Sequence, residues 1–437
     1  MSSVVRKSLP QLIRPSSEEL EMKTTTSSID LSSFDKGFSA MPATCFLVFE
    51  HPIDEPAETI RRGLSRALAY YYPIAGRLAP GGGGDEARVE CNGEGVVFVD
   101  ASADCALKEA KFFNNDPSSG ATTLPDDLAV YYPHDRCGCA DPLLMMQVTV
   151  FSCGGFVAGV TWNHAIADGA GMAQFLQAVG EHASGLPAPS VVPTRCDSSL
   201  PGLPPVIAYA QRSMMGLAPR DFACLEYTVP SSLINSIKDE FHGHANGGQP
   251  CTVFEAVTAV LWQCRTRVVI SDPEAPSLLF IVSNVRKHVG AKDGYYGNCV
   301  TGQLVVATCG SVANGPILDI VKMIRHAKEQ ITKQLKAGND GGGGGDKPQA
   351  SKQPEDMLRY NYNLLSVSSM RNIGLDEVEV GGRKPVRVMC RARVPHMTVP
   401  SCVVCLPWKG KDGANMVTRC VREEHVEAFL GELARFT

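Results

Sequence analysis

The sequence predicts an α/β protein built as two comparable sandwiches of mixed strands and helices. Three observations carry that expectation. Strand-like apolar runs alternate with stretches whose apolar residues recur at helical spacing, and they do so in both halves of the chain. Residues 185–220 are rich in Pro, Ser and Gly and read as a crossover linker. The chain has 437 residues, 44% of them hydrophobic and 20% charged, which is ample core for two domains. The expected boundaries are an N-terminal domain over 1–184, the linker over 185–220 and a C-terminal domain over 221–437, with a disordered Gly-rich loop near 338–352.

In chain order, residues 1–30 are polar apart from Val4, Val5 and Leu12-Ile13. Residues 28–35 read as a polar-rimmed loop and 44–49 as a strand. Pro56 opens a helix with Ile60, Leu64, Leu68 and Tyr71 on its apolar face. It ends at Tyr70-Tyr-Tyr-Pro73, because the residue before Pro resists the helical region. Residues 81–84, all Gly, read as a flexible hairpin loop; no Gly-Lys-Ser/Thr follows, so this is not a phosphate cradle. Strands are expected at 96–99 and 143–151, the latter alternating polar and apolar at Gln147 and Thr149. Beyond the linker come a strand at 225–229 and a helix on Leu233, Ile234, Ile237 and Phe241. A second helix starts at Thr252, where Glu255 three residues on completes a capping box. Strands at 278–284 and 302–307 precede a long amphipathic helix on Ile317, Ile320, Ile324 and Ile331. Strands near 386–390, 400–406 and 416–421 and a helix on Val426, Phe429 and Leu433 close the chain.

The chemistry concentrates in residues 156–172. An apolar strand runs over 156–162, and Met172, Phe175, Leu176 and Val179 mark a helix after it. Between them stands His164-Ala-Ile-Ala-Asp168-Gly169. An imidazole with an ordinary pKa of about 6.5 is largely neutral at pH 7 and can act as a base. The four-residue offset lets a turn bring Asp168 close, to pin the loop or orient the ring. Gly169 and Gly171 suit a tight, unusual backbone. With 10 His in the chain the spacing alone arises readily by chance; its place at a strand-to-helix turn is what singles it out.

Composition excludes several classes. A net charge of −5 without a Lys/Arg-rich run gives no electrostatic case for nucleic acid. No apolar run approaches the ~20 residues that span a bilayer, and the N-terminus lacks a signal-like apolar stretch, so a cytoplasmic protein without a membrane partner is expected. Most of the 16 Cys sit in apolar runs, as reduced core thiols do. Cys137-x-Cys139 and Cys402-x-x-Cys405 have no second pair or His at zinc-site spacing, so no metal is expected.

Five motifs then agree in order and spacing: Tyr71-Tyr-Pro-Ile-Ala-Gly-Arg77, His164-Ala-Ile-Ala-Asp168-Gly169, Thr252-Val-Phe-Glu255, Asn284-Val-Arg286 and Tyr296-Gly-Asn298. Together they resemble the plant BAHD acyl-CoA-dependent acyltransferases over essentially the whole chain. The resemblance implies two chloramphenicol-acetyltransferase-like domains with a solvent tunnel between them. It implies transfer of an acyl group from acyl-CoA, a co-substrate rather than a bound cofactor, to a small alcohol or amine by a monomeric protein. It makes His164 the general base, and Asp168 a structural aspartate whose partner falls on Arg286, with Gly169 completing the motif. Thr252, Asn284, Ser368, Ser369 and Met370 fall where relatives bind the acyl-CoA, and Phe34, Phe38 and Phe46 where they shape the acceptor pocket. Tyr70 to Tyr72 read as core, and Gly297-Asn298 as a turn.

Two departures stand out. The family's Asp-Phe-Gly-Trp-Gly aligns with Glu379-Val-Gly-Gly-Arg383, which bears on loop geometry and coenzyme fit. Its Thr-Ser-Trp aligns with Ser368-Ser369-Met370, and a Met cannot donate to an oxyanion as an indole N–H does. The smaller side chain leaves room for a flat aromatic acyl group, benzoyl or hydroxycinnamoyl, on its way to an alcohol or arylalkylamine. Two alternatives are a silent relative that binds acyl-CoA or a metabolite, and a condensation-type domain. Asn163, where the latter prefers a second His, argues against it.

Overall fold

The computed structural model describes residues 4–17, 27–80, 87–110, 124–133, 136–196, 200–203, 221–244, 249–339, 361–390, 398–408 and 410–436. The expected loop at 81–84, most of the Gly-rich stretch and much of the linker lie outside the described residues. The chain divides into two compact units. One takes residues 1–200, 291–299 and 372–393; the other takes 201–290, 300–371 and 394–437. The two short returns, 291–299 and 372–393, carry no compositional shift, so a reading based on linker composition drew one boundary where the chain crosses several times.

Strands β1 (Val5–Lys7), β2 (Gln11–Ile13) and β3 (Ser28–Asp30) come first. Where sequence suggested only a loop over 28–35, β3 leads into one helical turn, α1 (Ser33–Lys36), because the Asp35 carboxylate reaches back to the Ser32 N–H in a capping box. β4 (Pro42–Phe49) is followed by α2 (Pro56–Tyr70), which has Pro at its first position and buries Ile60, Leu64 and Leu68. Next come β5 (Arg77–Pro80), β6 (Ala87–Glu90), β7 (Val96–Ala103), β8 (Leu144–Phe151) and β9 (Phe156–Asn163), then α3 (Gly169–Ala183). The alternating Gln147 and Thr149 of β8 are both fully buried. Gln147 Nε2 donates to Asp127 O (2.8 Å) and Thr149 Oγ1 (2.9 Å), which satisfies the amide N–H groups inside the fold.

The remaining elements are β10 (Leu225–Val229), α4 (Ser231–His244), α5 (Val253–Val269), β11 (Pro276–Asn284), α6 (Arg286–Val289) and β12 (Val300–Thr308). They continue with α7 (Cys309–Asn314), α8 (Ile317–Asn339), β13 (Leu364–Ser369), β14 (Arg387–Cys390), β15 (Ser401–Cys405), β16 (Ala414–Arg419) and α9 (Val426–Ala434).

In the first unit the described strands form a sheet in the order β1-β7-β8-β9-β4-β14, with β2 also on β7 and only β7–β8 parallel. β3, β6 and β5 form a small antiparallel sheet beside it in sequence. β9 is buried along its whole length, the apolar-run signature of a strand covered on both faces. α3 meets α2 so closely that a Cβ on Gly63 would stand 2.3 Å from Val179 O. In the second unit the order is β10-β16-β15-β13-β11-β12, with β13 parallel to both β11 and β15. Its core joins Trp262 of α5, Ile320 and Ile324 of α8 and Phe429 of α9. These mixed sheets flanked by helices in two units are the expected fold class.

Candidate active site

β9 ends at Asn163 and hands the chain to a pinned turn. His164 N donates to Met41 O (2.8 Å), Ile166 N to Asn163 O (3.0 Å), and the Trp162 indole to Ala167 O (2.9 Å). Asp168 then caps α3: its Oδ1 accepts from Gly171 N at 2.9 Å. Its other oxygen, Oδ2, accepts from Cys299 N at 2.9 Å, so one buried carboxylate ties the His turn to the returning segment 291–299. Gly169 and Gly171 take ordinary helical conformations rather than the unusual backbone expected of them. Gly171 has a different reason: a Cβ there would lie 1.8 Å from Tyr296 O.

That close approach delivers Asn298 to the imidazole. Asn298 Oδ1 lies 3.1 Å from His164 Nδ1, and its Nδ2 donates to His164 O (2.8 Å) and to Asp35 Oδ1 (2.9 Å). Asp35, fully buried, also accepts from Asn298 N (3.1 Å), Ser32 N (2.9 Å) and Ser32 Oγ (2.6 Å), and pairs with Arg195 (3.1 Å). Arg195 in turn donates to Ala165 O at 3.1 Å. Burial pulls the Arg195 guanidinium down, but Asp35, Tyr295 and Tyr296 more than offset it, so the cation is held. By sequence Asn298 reads as part of a turn, and neither Asp35 nor Arg195 stands out. A signal existed for Asp35, because Ser32-x-x-Asp35 has capping-box spacing; Arg195 sat unmarked in the linker.

His164 itself is half-buried. Burial lowers its pKa below the ordinary value, and Asp168, its own carbonyl, Asn298 and Asp35 recover only part of that. The ring is therefore neutral at pH 7. With Nδ1 turned to an amide oxygen, which can only accept, Nδ1 carries the proton and Nε2 keeps its lone pair. Phe38 lies against the imidazole, centroids 4.5 Å apart and planes at 31°. Of the three Phe expected at an acceptor pocket, Phe38 is the one brought to the ring; Phe34 and Phe46 are fully enclosed in packed interior.

The other expected residues belong to the second unit. Thr252 caps α5, its Oγ1 accepting from Glu255 N (3.2 Å) while Glu255 returns to Thr252 N (2.9 Å), as the sequence indicated. Thr252, Asn284 and Ser369 line one cavity of about 320 Å³, together with Phe254, His288 and Lys328. Ser368 and Met370 flank Ser369 without lining it. Lys328 and Arg325 both pair with the buried Glu255, at 2.8 and 2.9 Å. Arg286 opens α6, its N–H held by Asn284 Oδ1 (3.1 Å). The Glu379-Val-Gly-Gly-Arg383 stretch forms a two-residue turn in the first unit: Val380 and Arg383 exchange backbone hydrogen bonds (2.9 and 3.0 Å) around Gly381 and Gly382 at positive φ. Burial pushes the Cys45 and Cys264 thiols up to about 12 and holds Cys402 well above the ordinary range, which leaves them as inert core side chains. Among the described residues no three His, Cys, Asp or Glu side chains cluster to hold a metal, and no helix is long and apolar enough to cross a membrane.

A neutral imidazole with Nε2 unprotonated, at the head of a buried helix, defines a broad class of chemistry, that of a general base. Comparison with known proteins narrows it. The chain matches the Transferase family over residues 4–434 and belongs to it, as an acyltransferase of the BAHD type. It is 42% identical to Acyl transferase 15 of Oryza sativa subsp. japonica, over 100% of this chain and 99% of that protein. It is 33% identical to the myricetin 3-O-glucosyl 1,2-rhamnoside 6'-O-caffeoyltransferase AT1 of Crocosmia x crocosmiiflora over the full length of both. Vinorine synthase shares its fold at a TM-score of 0.70 and 18% identity, covering 99% of this chain and 98% of that one. TRI101 of F. sporotrichioides, complexed with coenzyme A and T-2, does so at 0.64 and 15%, covering 94% and 99%.

Proposed function

We propose that the protein transfers an aromatic acyl group, benzoyl or hydroxycinnamoyl, from acyl-CoA to an alcohol or arylalkylamine, with His164 as general base. The observation that carries this is the locked, neutral imidazole with Nε2 unprotonated. A full-length relative named as a caffeoyltransferase supports the aromatic donor. The thioester carbonyl is already electrophilic, so the barrier lies in the acceptor proton and the developing oxyanion. Nε2 takes the acceptor's proton as its oxygen or nitrogen attacks. The tetrahedral intermediate then expels the coenzyme thiolate, which receives that proton. Base catalysis of this kind contributes ~10²–10⁴-fold, and positioning much of the rest. An amine acceptor must arrive uncharged.

The cavity lined by Thr252, Asn284, Ser369, His288 and Lys328 is assigned to acyl-CoA, the last two being cationic or protonatable groups suited to its phosphates. Met370 offers no side-chain donor for the oxyanion, and its N–H is already given to Val404 O (2.8 Å). The Ser369 hydroxyl, which reaches Val404 O only at 3.4 Å, is the donor most easily re-aimed. Phe38 is assigned as the acceptor-side wall. The soluble, cytoplasmic, monomeric state follows the same family reading. The test is thiol release from benzoyl-, hydroxycinnamoyl- and acetyl-CoA against a panel of alcohols and arylalkylamines, with product mass as the readout. Release with an aromatic donor is expected; silence across the panel, or acetyl transfer alone, overturns the reading.

A further inference from the structure

We infer that Asp35, backed by Arg195, is a positioning residue: it holds the Asn298 amide with its oxygen toward His164 and so decides which imidazole nitrogen is basic. An amide can sit either way round in the same volume, and only its neighbours choose. Here Nδ2 meets two acceptors, Asp35 Oδ1 at 2.9 Å and His164 O at 2.8 Å. Turned over, the amide would press its oxygen against both and point its NH2 at His164 Nδ1. The ring would then have to carry its proton on Nε2, where it cannot take one from an acceptor.

The carbonyl of His164 is part of every orientation of the turn; the carboxylate is what biases the choice. Asp35 Oδ1 is occupied by the two Asn298 donors, and Oδ2 by Ser32 N, Ser32 Oγ and Arg195. With five donors converging on the two oxygens, a turned amide would set its oxygen against Oδ1 in place of a donor. Arg195 fixes the charge and also grips Ala165 O, the residue after the base. Asp35, Asn298 and Arg195 are all buried, so water does not relieve a wrong orientation. Among the described residues, the charged or titratable groups facing the ring from the packed elements are Asp168 and, through Asn298, Asp35 with its partner Arg195. The competing account is a plain structural ion pair that bolts α1 to residue 195; that account predicts lost stability and an unchanged ring.

The test reads the ring directly. Protein labelled with ¹⁵N-histidine gives long-range ¹H–¹⁵N ring correlations, and His164→Gln identifies the His164 signals. Wild type is expected to carry the proton on Nδ1. Asp35→Asn is expected to shift His164 to a mixture with, or wholly to, the Nε2-protonated form. It should lower kcat on the order of 10–100-fold, with the KM of both co-substrates within about 3-fold; an imidazole held in the wrong tautomer can lose up to ~10⁴-fold. Exchanging the two groups in Asp35→Asn/Asn298→Asp replaces the amide oxygen at Nδ1 by a carboxylate, which can only accept, and is expected to restore the Nδ1 proton. Arg195→Gln removes the ion pair that holds Asp35 against the amide, and is expected to raise the share of the Nε2-protonated form. A wild-type tautomer in Asp35→Asn, or in Arg195→Gln where the first variant does not fold, overturns the inference. The kinetic arm rests on His164 being the base. Should His164→Ala keep its turnover, that assignment falls, while the spectra still decide what Asp35 does.

Discussion

Replacing Gly171 by Ala tests whether the His turn and segment 291–299 behave as one rigid piece. The added Cβ would stand 1.8 Å from Tyr296 O, 2.7 Å from its carbonyl carbon and 3.1 Å from its Cα. All three atoms are backbone, so no rotamer change relieves the overlap, and the contact falls short of ordinary van der Waals distance by roughly 1.5 Å. Two terms oppose each other. Ala favours a helix over Gly by up to about 1 kcal/mol, less at this third residue of α3. Overpacking costs typically ~1–3 kcal/mol, and the displaced segment also strains the Cys299 N to Asp168 Oδ2 bond (2.9 Å) and the contacts of Asn298. Breaking one such buried hydrogen bond costs ~1–3 kcal/mol. The steric side wins, for a net loss of ~1–3 kcal/mol. At about 2–4 °C per kcal/mol for a unit of this size, the melting temperature should drop by several degrees. Because Asn298 leaves Nδ1 as the segment moves, turnover should fall at least ~10-fold. Thermal unfolding followed by circular dichroism, paired with kcat, checks both. A variant that melts at or above wild type and turns over normally would show that the segment yields freely and that the rigid coupling is wrong.

His164→Ala should fold normally and lose at least ~10²-fold in kcat; circular dichroism and steady-state rates decide, and full turnover refutes the base assignment. Since burial depresses the His164 pKa, kcat/KM should rise with pH through an inflection below the ordinary value of about 6.5 and then level; an inflection above it contradicts the site. The unfolded chain binds that proton more readily than the folded one, so stability is complete above about pH 6.5 and declines as pH falls through the folded-state pKa. Urea midpoints of wild type and His164→Gln across pH 5–8 should diverge in that direction. Lys328→Met removes a cation from the coenzyme-assigned cavity while Glu255 keeps Arg325, so the KM for acyl-CoA should rise roughly 3–10-fold with kcat little changed.

Periodicity and punctuation reveal the frame because they are local: Pro56 starts α2 and Pro73 follows its end, and Thr252 with Glu255 starts α5. The continuous apolar run of β9 announces burial on both faces. The motif gives His164 and Asp168. What it cannot give is the company these residues keep. Asp35 and Asn298 are 263 positions apart yet 2.9 Å apart in space, and the pairing exists only because Asp168 and Gly171 draw the 291–299 return against α3. Neither residue type is unusual where it stands, so nothing local distinguishes a positioning carboxylate from a helix cap. Gln147 and Thr149 mislead for a related reason: hydrogen-bonded polar groups are compatible with full burial, and sequence does not show their partners.

The departure at Glu379-Val-Gly-Gly-Arg383 can be argued through to a separation of structural from coenzyme roles. Gly381 and Gly382 hold φ of 57° and 73°, the left-handed pair that a tight two-residue hairpin requires, so the substituted sequence still makes a defined turn. The turn belongs to the first unit, where Glu379 O packs on α3 so tightly that a Cβ on Gly180 would lie 1.9 Å from it. The cavity assigned to acyl-CoA is lined by other residues, in the second unit. Gly381→Val therefore combines a left-handed penalty of about 1–2 kcal/mol, more for a β-branched side chain, with a Cβ already 3.0 Å from Ile53. A fall of several degrees in melting temperature is expected, with the KM for acyl-CoA unchanged in the fraction that remains folded. If the KM for acyl-CoA instead rises while the melting temperature holds, the turn serves the coenzyme and its role as a stay for α3 is refuted.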